Sequence, residues 1–434
     1  MKRSALNQEN LKDVQRESFA YFVHEANPKN GLIADCTRPG SPASIAAVGL
    51  ALSCYPVAVK RRFMSRAAAR KRTITTLRFF RDSVQSTAAD ATGYKGFYYH
   101  FLDMRTGRRA WKCELSTIDT AFLIAGMLTA AGYFSSAHWE EREIREVADE
   151  LYRRVDWQWA QNRGLTVTHG WKPGRGFLKH RWQGYDEALF LYLLGLGSPT
   201  HPLPAASFGQ WADTYKWRRI YGRKFLYSGP LFTHQISHLW IDFRGIRDAY
   251  MRHKRSDYFE NSRRATYVQH RYARDNPGKF VGYGSHCWGI TASDGPGPAR
   301  RTIDGKRRTF FGYMARGVPD GPDDGSISPW AVVASLPFAP ELVLPALKHF
   351  EHAKLRENTR YGFRATFNPT FFDRTDPTRS WVSPYFYGLN QGPVVLMIEN
   401  YRSGLLWKLM KKSPYVLTGL RRAGFTGGWL DKTD

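Results

Sequence analysis

Apolar positions recur at helical rather than strand spacing through most of this chain. Leu11, Val14, Phe19, Phe22 and Val23 trace one stripe. Residues 44–55 are small and apolar, and Pro56 disturbs the run. Residues 66–81 carry Ile74, Leu77 and Phe80 on one face and basic residues on the other, which predicts an amphipathic helix with a basic outer face. Residues 117–134 (TIDTAFLIAGMLTAAGYF) are apolar nearly all round and predict a buried helix. Residues 140–158 follow, with the acids of EEREIREVADE near the start, where a helix dipole favours them. A second buried helix is predicted over 186–196, and further helices over 229–251, 258–274, 331–352, 391–409 and 415–423. Between these lie loops rich in Gly, Pro and aromatics, at 27–43, 90–113, 160–185, 276–330 and 359–390. Loops this long in a compact chain are binding loops or disordered, and their aromatic content argues against disorder.

Period-2 alternation is scarce, so the pattern predicts an all-α chain of about a dozen helices. Buried and amphipathic helices alternate, as an inner and an outer ring of an α/α barrel would require. A helical solenoid fits the alternation too, but exact sequence repeats are absent. No Gly/Ser-rich linker divides the chain, so residues 1–434 are expected to form a single domain.

Composition narrows the function classes. Of 434 residues, 42% are hydrophobic and 15% aromatic, enough for a large core. The formal net charge of +26 fits either a solvated basic surface or an anionic partner such as nucleic acid, phospholipid or a charged glycan. The basic residues cluster at 60–81, with nine Lys or Arg and no acid, and at 300–308, with five. Neither run forms a nucleic-acid-binding motif, and no nucleic acid is expected as partner. Cys36, Cys54, Cys113 and Cys287 lack CxxC spacing, which argues against a zinc ribbon or redox motif and leaves one bridge open. No apolar stretch reaches roughly 18 residues, so no membrane span is expected. The first residues, MKRSALNQENLKDVQRESFAYFV, do not have the pattern of a signal peptide.

Two acidic sites stand out. In RWQGYDEALF, Asp186 and Glu187 precede the apolar run LFLYLLGLG. They could cap the helix, which lowers a carboxyl pKa, or serve as an acid in an aromatic surrounding, which raises it. In KCELSTIDT, Asp119 lies inside the most apolar helix of the chain, costly unless the carboxylate is paired, bonded or used. Glu114 precedes it. Two carboxylates across a pocket lined with Trp and Tyr are what glycoside hydrolysis needs. Trp182, Tyr185, Trp240 and Trp288 are candidate stacking platforms, with Tyr98 and Asp186 further candidates for substrate contact. His234, His238, Asp242, Arg244 and Asp294 are candidate hydroxyl ligands. His234 and His238 have i, i+4 spacing that suits zinc on a helix, but Gln235 stands where HExxH needs Glu and no third ligand is evident, so no metal is expected. The 320–325 stretch DGPDDG lacks the full calcium-loop pattern and predicts a turn. Neither GxSxG nor a phosphate loop occurs.

The segments ASIAAVGLALSCYPV, GYKGFYYHFLDMRTGRR, ELSTIDTAFLIAGMLTAAGYF, RWQGYDEALFLYLLGLGSPTHPLP, GPLFTHQISHLWIDFRGIRDAY, WGITASDGP, SLPFAPELVLPALK and QGPVVLMIENYRSGLLWKLM resemble the bacterial glycoamylase-like family, which includes endo-β-1,2-glucanases. The likeness keeps motif order from about residue 10 to the closing GFTGGWLD. It implies an (α/α)6 barrel with a glucan-binding cleft, no cofactor or metal requirement, and a periplasmic or exported location. The absence of a leader pattern leaves a cytoplasmic location open. The family's candidate acid matches Glu187 in GYDEA, and its second acidic region matches ELSTID. Its glucanases carry Glu in the place of Asp119 and acids in the places of Ser116 and Lys112, whereas this chain has Glu114. The expected function is cleavage of a β-glucan, foremost internal cleavage of a β-1,2-glucan, with Glu187 as acid and Asp119 or Glu114 acting on water. A transglycosylase, an exo-acting or oligosaccharide-releasing β-glucosidase and a non-catalytic binder of an anionic polymer are the other classes. The expected partner is a glucan oligo- or polysaccharide, with or without anionic substituents, and the expected state is a monomer.

Overall fold

The computed structural model describes residues 2–372 and 380–432, with backbone only over 2–9. Of the expected loop 359–390, residues 373–379 lie outside the described residues.

Six inner elements follow one another around a barrel: helix Ile45–Lys60, helix Thr117–Tyr133, helix Leu189–Gly197, two 3-10 turns at Leu231–His234 and Ile236–Leu239, helix Pro329–Ala334 and helix Gly388–Ser403. The first two helices touch through glycines. A Cβ on Gly126 would lie 2.0 Å from the Gly49 carbonyl oxygen, and one on Gly49 would lie 2.2 Å from that of Phe122. Hydrogen bonds carry the ring onward. The Phe190 backbone amide donates to Ser237 Oγ at 3.2 Å, Gln235 Nε2 to the Ala331 carbonyl at 2.7 Å, and Asn400 Nδ2 to the Leu239 carbonyl at 2.9 Å. Helix Gly388–Ser403 closes the ring against the first helix, Gly392 lying over Leu50.

Trp240 fills the centre. It is fully buried, stacks between Phe122 (5.7 Å) and Phe190 (5.2 Å), and donates to Ser53 Oγ at 3.0 Å. One side chain thus ties three inner helices together.

Amphipathic helices form the outer layer, and among them Arg66–Asp82 and Trp139–Arg154 run side by side. The basic face predicted for the first of them is partly spent on its neighbour. Arg66 pairs with Glu141 (2.7 Å), Arg70 with Glu140, and Arg78 with Glu143 (2.5 Å). The acids of EEREIREVADE therefore serve the adjacent helix as well as their own dipole.

Three predicted helices are broken. Residues 229–251 form the two 3-10 turns and a short helix, Ala249–His253. The span 331–352 divides into Pro329–Ala334 and Pro340–His352, around a turn with Pro337 and Pro340. The span 391–409 divides at Gly404, whose φ of +63° ends one helix before Leu405–Met410 begins. Short strands occupy the loops, with hairpins at Trp217–Ile220/Arg223–Leu226 and Ala299–Ile303/Lys306–Phe310. A five-stranded antiparallel sheet includes Phe97–Tyr99, Leu115–Ser116 and Gly170–Lys172. These strands have two to six residues, too short for alternation to register. No described helix is long and apolar enough to cross a membrane, and all four cysteines are buried free thiols.

Candidate active site

A cleft opens over the N-terminal ends of the inner elements. Ser44 and Ser116 cap two of them and accept from the Ala47 and Asp119 amides, while Tyr387 begins a third. The cleft has two compartments. An inner one of about 310 Å³ is lined by Glu187, Asp119, Glu114, His169, Trp182 and Trp330 among others. An outer one of about 530 Å³ is lined by Asp35, Arg38, Trp111, Asp294 and Tyr387 among others. His100, Asp119, Tyr313, Leu389 and Asn390 belong to both and mark the junction. Each of the five long aromatic loops seen in the sequence supplies a lining residue, from Asp35 and Arg38 in the first to Tyr387 in the last.

Glu187 and Asp119 thus share one wall-to-wall space. Burial, reinforced by the carboxylates of Asp186 and Asp119, pushes Glu187 up to about 8. Its carboxyl is protonated at neutral pH. Asp186 turns away from the cleft. It accepts from the Ala188 amide (2.9 Å) and Trp211 Nε1 (3.0 Å), and burial pushes it up to about 7.

Asp119 accepts from Ser116 Oγ at 2.5 Å and lies 3.6 Å from His100 Nε2. The other nitrogen of that ring, Nδ1, meets Glu114 Oε1 at 2.9 Å. Burial alone would push His100 down, but Asp119, Glu114 and Asp35 outweigh it and hold the imidazole at about 9. The His100 hydrogen bond in turn holds Glu114 down at about 2, and burial pushes Asp35 up to about 6. A cationic imidazole therefore sits among three carboxyl groups.

Trp182 lines the inner compartment, stacked on His169 at 3.8 Å, its Nε1 donating to Thr117 Oγ1 at 3.0 Å. Asp294 lines the outer compartment and accepts from Ser383 Oγ and Tyr387 Oη. Its Oδ1 is buried without a partner among the described residues, as is Trp330 Nε1. Tyr313 rides on a loop fixed from below by Arg316. That guanidinium is fully buried, bidentate to Asp324 at 2.7 and 2.8 Å, and donates to the Ser293, Phe311 and Gly312 carbonyls.

The other sequence candidates lie outside the cleft. Trp240 is the barrel's central packing residue. Tyr98 is fully buried and donates to the Phe80 carbonyl at 3.2 Å. Tyr185 packs against His234 and Tyr258, and Trp288 is fully buried. His234 bonds the Ser228 carbonyl (3.2 Å) and His238 bonds Ser262 Oγ (3.0 Å). Burial lowers both imidazoles, to about 4 and about 3. They occupy separate 3-10 turns rather than one helix face, and no described group of His, Cys, Asp or Glu could hold a metal ion. Asp242 and Arg244 form an ion pair at 2.7 Å, extended by Lys411 at 2.8 Å, with the guanidinium 4.7 Å over Trp407. These are the polar networks that join elements of the barrel. The sequence candidates did not include His100, Asp35, Tyr313, Trp111, Trp330, Tyr387 or Asn390. His100 had one available signal, its place in GYKGFYYHFLD next to the acidic segment.

A two-ring helical barrel with a carboxylate-lined cleft at the inner helix starts defines the class. The Glycoamylase family model, described as "Putative glucoamylase", matches residues 179–414, and the chain belongs to that family. A Bacteroides uniformis protein with the same glucoamylase description superposes with a TM-score of 0.84 at 32% identity, over 97% of this chain and 98% of that one. An endo-β-1,2-glucanase from Chitinophaga pinensis, solved with sophorotriose and glucose, gives 0.84 at 26% identity, over 97% and 99%. The exo-β-1,2-glucooligosaccharide sophorohydrolase (non-reducing end) of Parabacteroides distasonis is 29% identical over 447 positions. That match covers 94% of this chain and 57% of the relative, so the chain spans little more than half of that protein's length.

Proposed function

We propose that the protein is a glycoside hydrolase that cleaves β-1,2-linked glucan, with residues 1–434 as one catalytic unit. The observation that carries this is the shared compartment of Glu187 and Asp119, one carboxyl pushed up to about 8 and the other beside a cationic imidazole. Glu187 donates its proton to the glycosidic oxygen as the C–O bond breaks, and Asp119 takes a proton from the water that adds to the anomeric carbon. The His100 hydrogen bond holds Glu114 down at about 2, too weak a base to take a proton from water readily, so Asp119 is the proposed base. Trp182 and Tyr313 line the inner compartment and are the rings proposed to meet the sugar. The unpartnered Asp294 Oδ1 and Trp330 Nε1 are polar atoms that sugar hydroxyls would satisfy. The linkage rests on the C. pinensis and P. distasonis proteins, whose names state β-1,2 activity.

Internal cleavage is the primary reading, because the cleft continues from the acid pair into a second, larger compartment. Release of a disaccharide from the non-reducing end is the second, favoured by the likeness to the sophorohydrolase. Incubation with β-1,2-, β-1,3-, β-1,4- and α-linked glucans tests the class, and a time course on long β-1,2-glucan separates the modes. Internal cleavage gives a spread of lengths early, and exo-cleavage one product throughout. Absence of cleavage on every β-1,2 substrate would overturn the proposal. The +26 charge further supports a glucan carrying phosphate-type substituents as a natural substrate.

A further inference from the structure

Among the described residues few large apolar side chains are more than half exposed, and Trp111, at 66%, is one that lines the outer compartment. Its backbone explains why it stays there. Trp111 and Lys112 have φ of +52° and +49°, and the Cys113 amide bonds the Ala110 carbonyl at 3.1 Å. Two successive positive φ values across a four-residue turn are the signature of the mirror-image turn that Asn and Gly normally fill. A Trp-Lys pair holds it only where the surroundings enforce it, and such enforced turns gather at binding sites. Arg109 supplies the enforcement. Its Nε donates to the Cys113 carbonyl and its Nη2 to the Lys112 carbonyl, both at 2.7 Å, while the guanidinium lies 4.6 Å over the Tyr99 ring. The indole packs on Phe101 at 5.0 Å, and Phe101 stacks on His100 at 3.9 Å. A large ring is thus locked open to solvent, on a strained and stapled turn, at the wall of a cleft. A core role would bury it, and a free surface position would not need the staple.

We propose that Trp111 is the stacking platform of a distal sugar subsite in the outer compartment, and that it sets the preference for longer glucan chains. A glucosyl ring lies flat on the indole, its C–H face against the π surface. This inference rests on the hydrolase reading above, since the subsite is counted outward from the acid pair.

The test uses wild type, Trp111→Ala and Trp111→Phe on β-1,2-glucooligosaccharides of graded length, with KM and kcat read separately. Trp111→Ala is expected to raise KM about tenfold on the longest substrates, with the effect shrinking as chains shorten. Trp111→Phe keeps a ring and should recover most of the affinity. A loss equal at every length, or no loss at all, would overturn the platform assignment. An equal loss would instead assign Trp111 to supporting Phe101 and His100. If wild type cleaves none of these sugars, the hydrolase reading falls. Titration calorimetry of wild type and Trp111→Ala with the uncleaved chains then judges the platform alone, equal affinity overturning it.

Discussion

Glu187 shows how burial converts an ordinary carboxyl into an acid usable at neutral pH. Its value near 8 lies far above the ordinary 4.5, first through burial and then through Asp186 and Asp119. Hydrolysis should therefore fall as pH rises through about 8. Glu187→Gln should cut kcat by roughly 10²–10⁴ with KM little changed, as measured by reducing-sugar release. The same shift predicts a stability effect. Because the folded value is raised, the folded chain binds more protons than the unfolded one between about 4.5 and 8. The stabilisation is complete below 4.5 and lost as pH rises through 8. Glu187→Gln should melt close to wild type at pH 4 and several degrees higher at pH 9, and thermal scans at the two values check it. These carboxyls were legible in the sequence because an acid in an apolar run is costly and demands a reason. The rings were less so. Trp182 and Trp240 both stand among apolar residues, yet one lines the cleft and the other fills the barrel axis. Sequence neighbours do not state which way an aromatic faces.

The helices that were legible are those whose own pattern decides them. Residues 66–81, 117–134 and 258–274 match Arg66–Asp82, Thr117–Tyr133 and Tyr258–Asp275 to within a residue or so at each end. The predicted helix over 229–251 failed because tertiary bonds override its apolar spacing. Ser237 and Gln235 spend their side chains on neighbouring inner helices, and 3-10 turns result. Cleft residues were scattered over five loops for a related reason. Loop positions converge only once the barrel brings the inner helix starts together. That convergence depends on the Gly49–Gly126 contact, where two helix backbones touch. Gly126→Ala would place a Cβ against the Gly49 carbonyl and force Ile45–Lys60 away from Thr117–Tyr133. The expected cost is about 1–3 kcal/mol, read by urea unfolding. Activity should fall as well, because the second helix carries Asp119 at its first turn. An equally stable, fully active variant would mean the helices can separate without disturbing the cleft.

The excess of positive charge belongs to the whole molecule rather than to the reacting centre. Around the acid pair the carboxyls of Asp35, Glu114 and Asp119 face His100, with Glu187 neutral and Arg38 on the outer compartment, while much of the basic character lies on outer helices and hairpins such as Ala299–Ile303/Lys306–Phe310. Part of that surface charge is neutralised internally, as Arg66, Arg70 and Arg78 are by the acids of Trp139–Arg154. Two consequences separate by salt. On the proposed function a neutral β-1,2-glucan would meet stacking rings and hydroxyl partners, and neither is screened, so kcat/KM should change less than about twofold from low salt to ~0.5 M. A glucan bearing phosphate-type groups also meets the long-range field of a +26 surface, whose reach shrinks as the Debye length falls. Its kcat/KM should start higher at low salt and decline toward the neutral substrate's value as salt rises. Paired assays on substituted and unsubstituted chains of equal length measure this directly. A substituted glucan that shows the neutral chain's flat salt response would confine the basic surface to solvation. A neutral glucan whose cleavage collapsed with salt would mean that charge, rather than the ring-walled cleft, governs substrate capture.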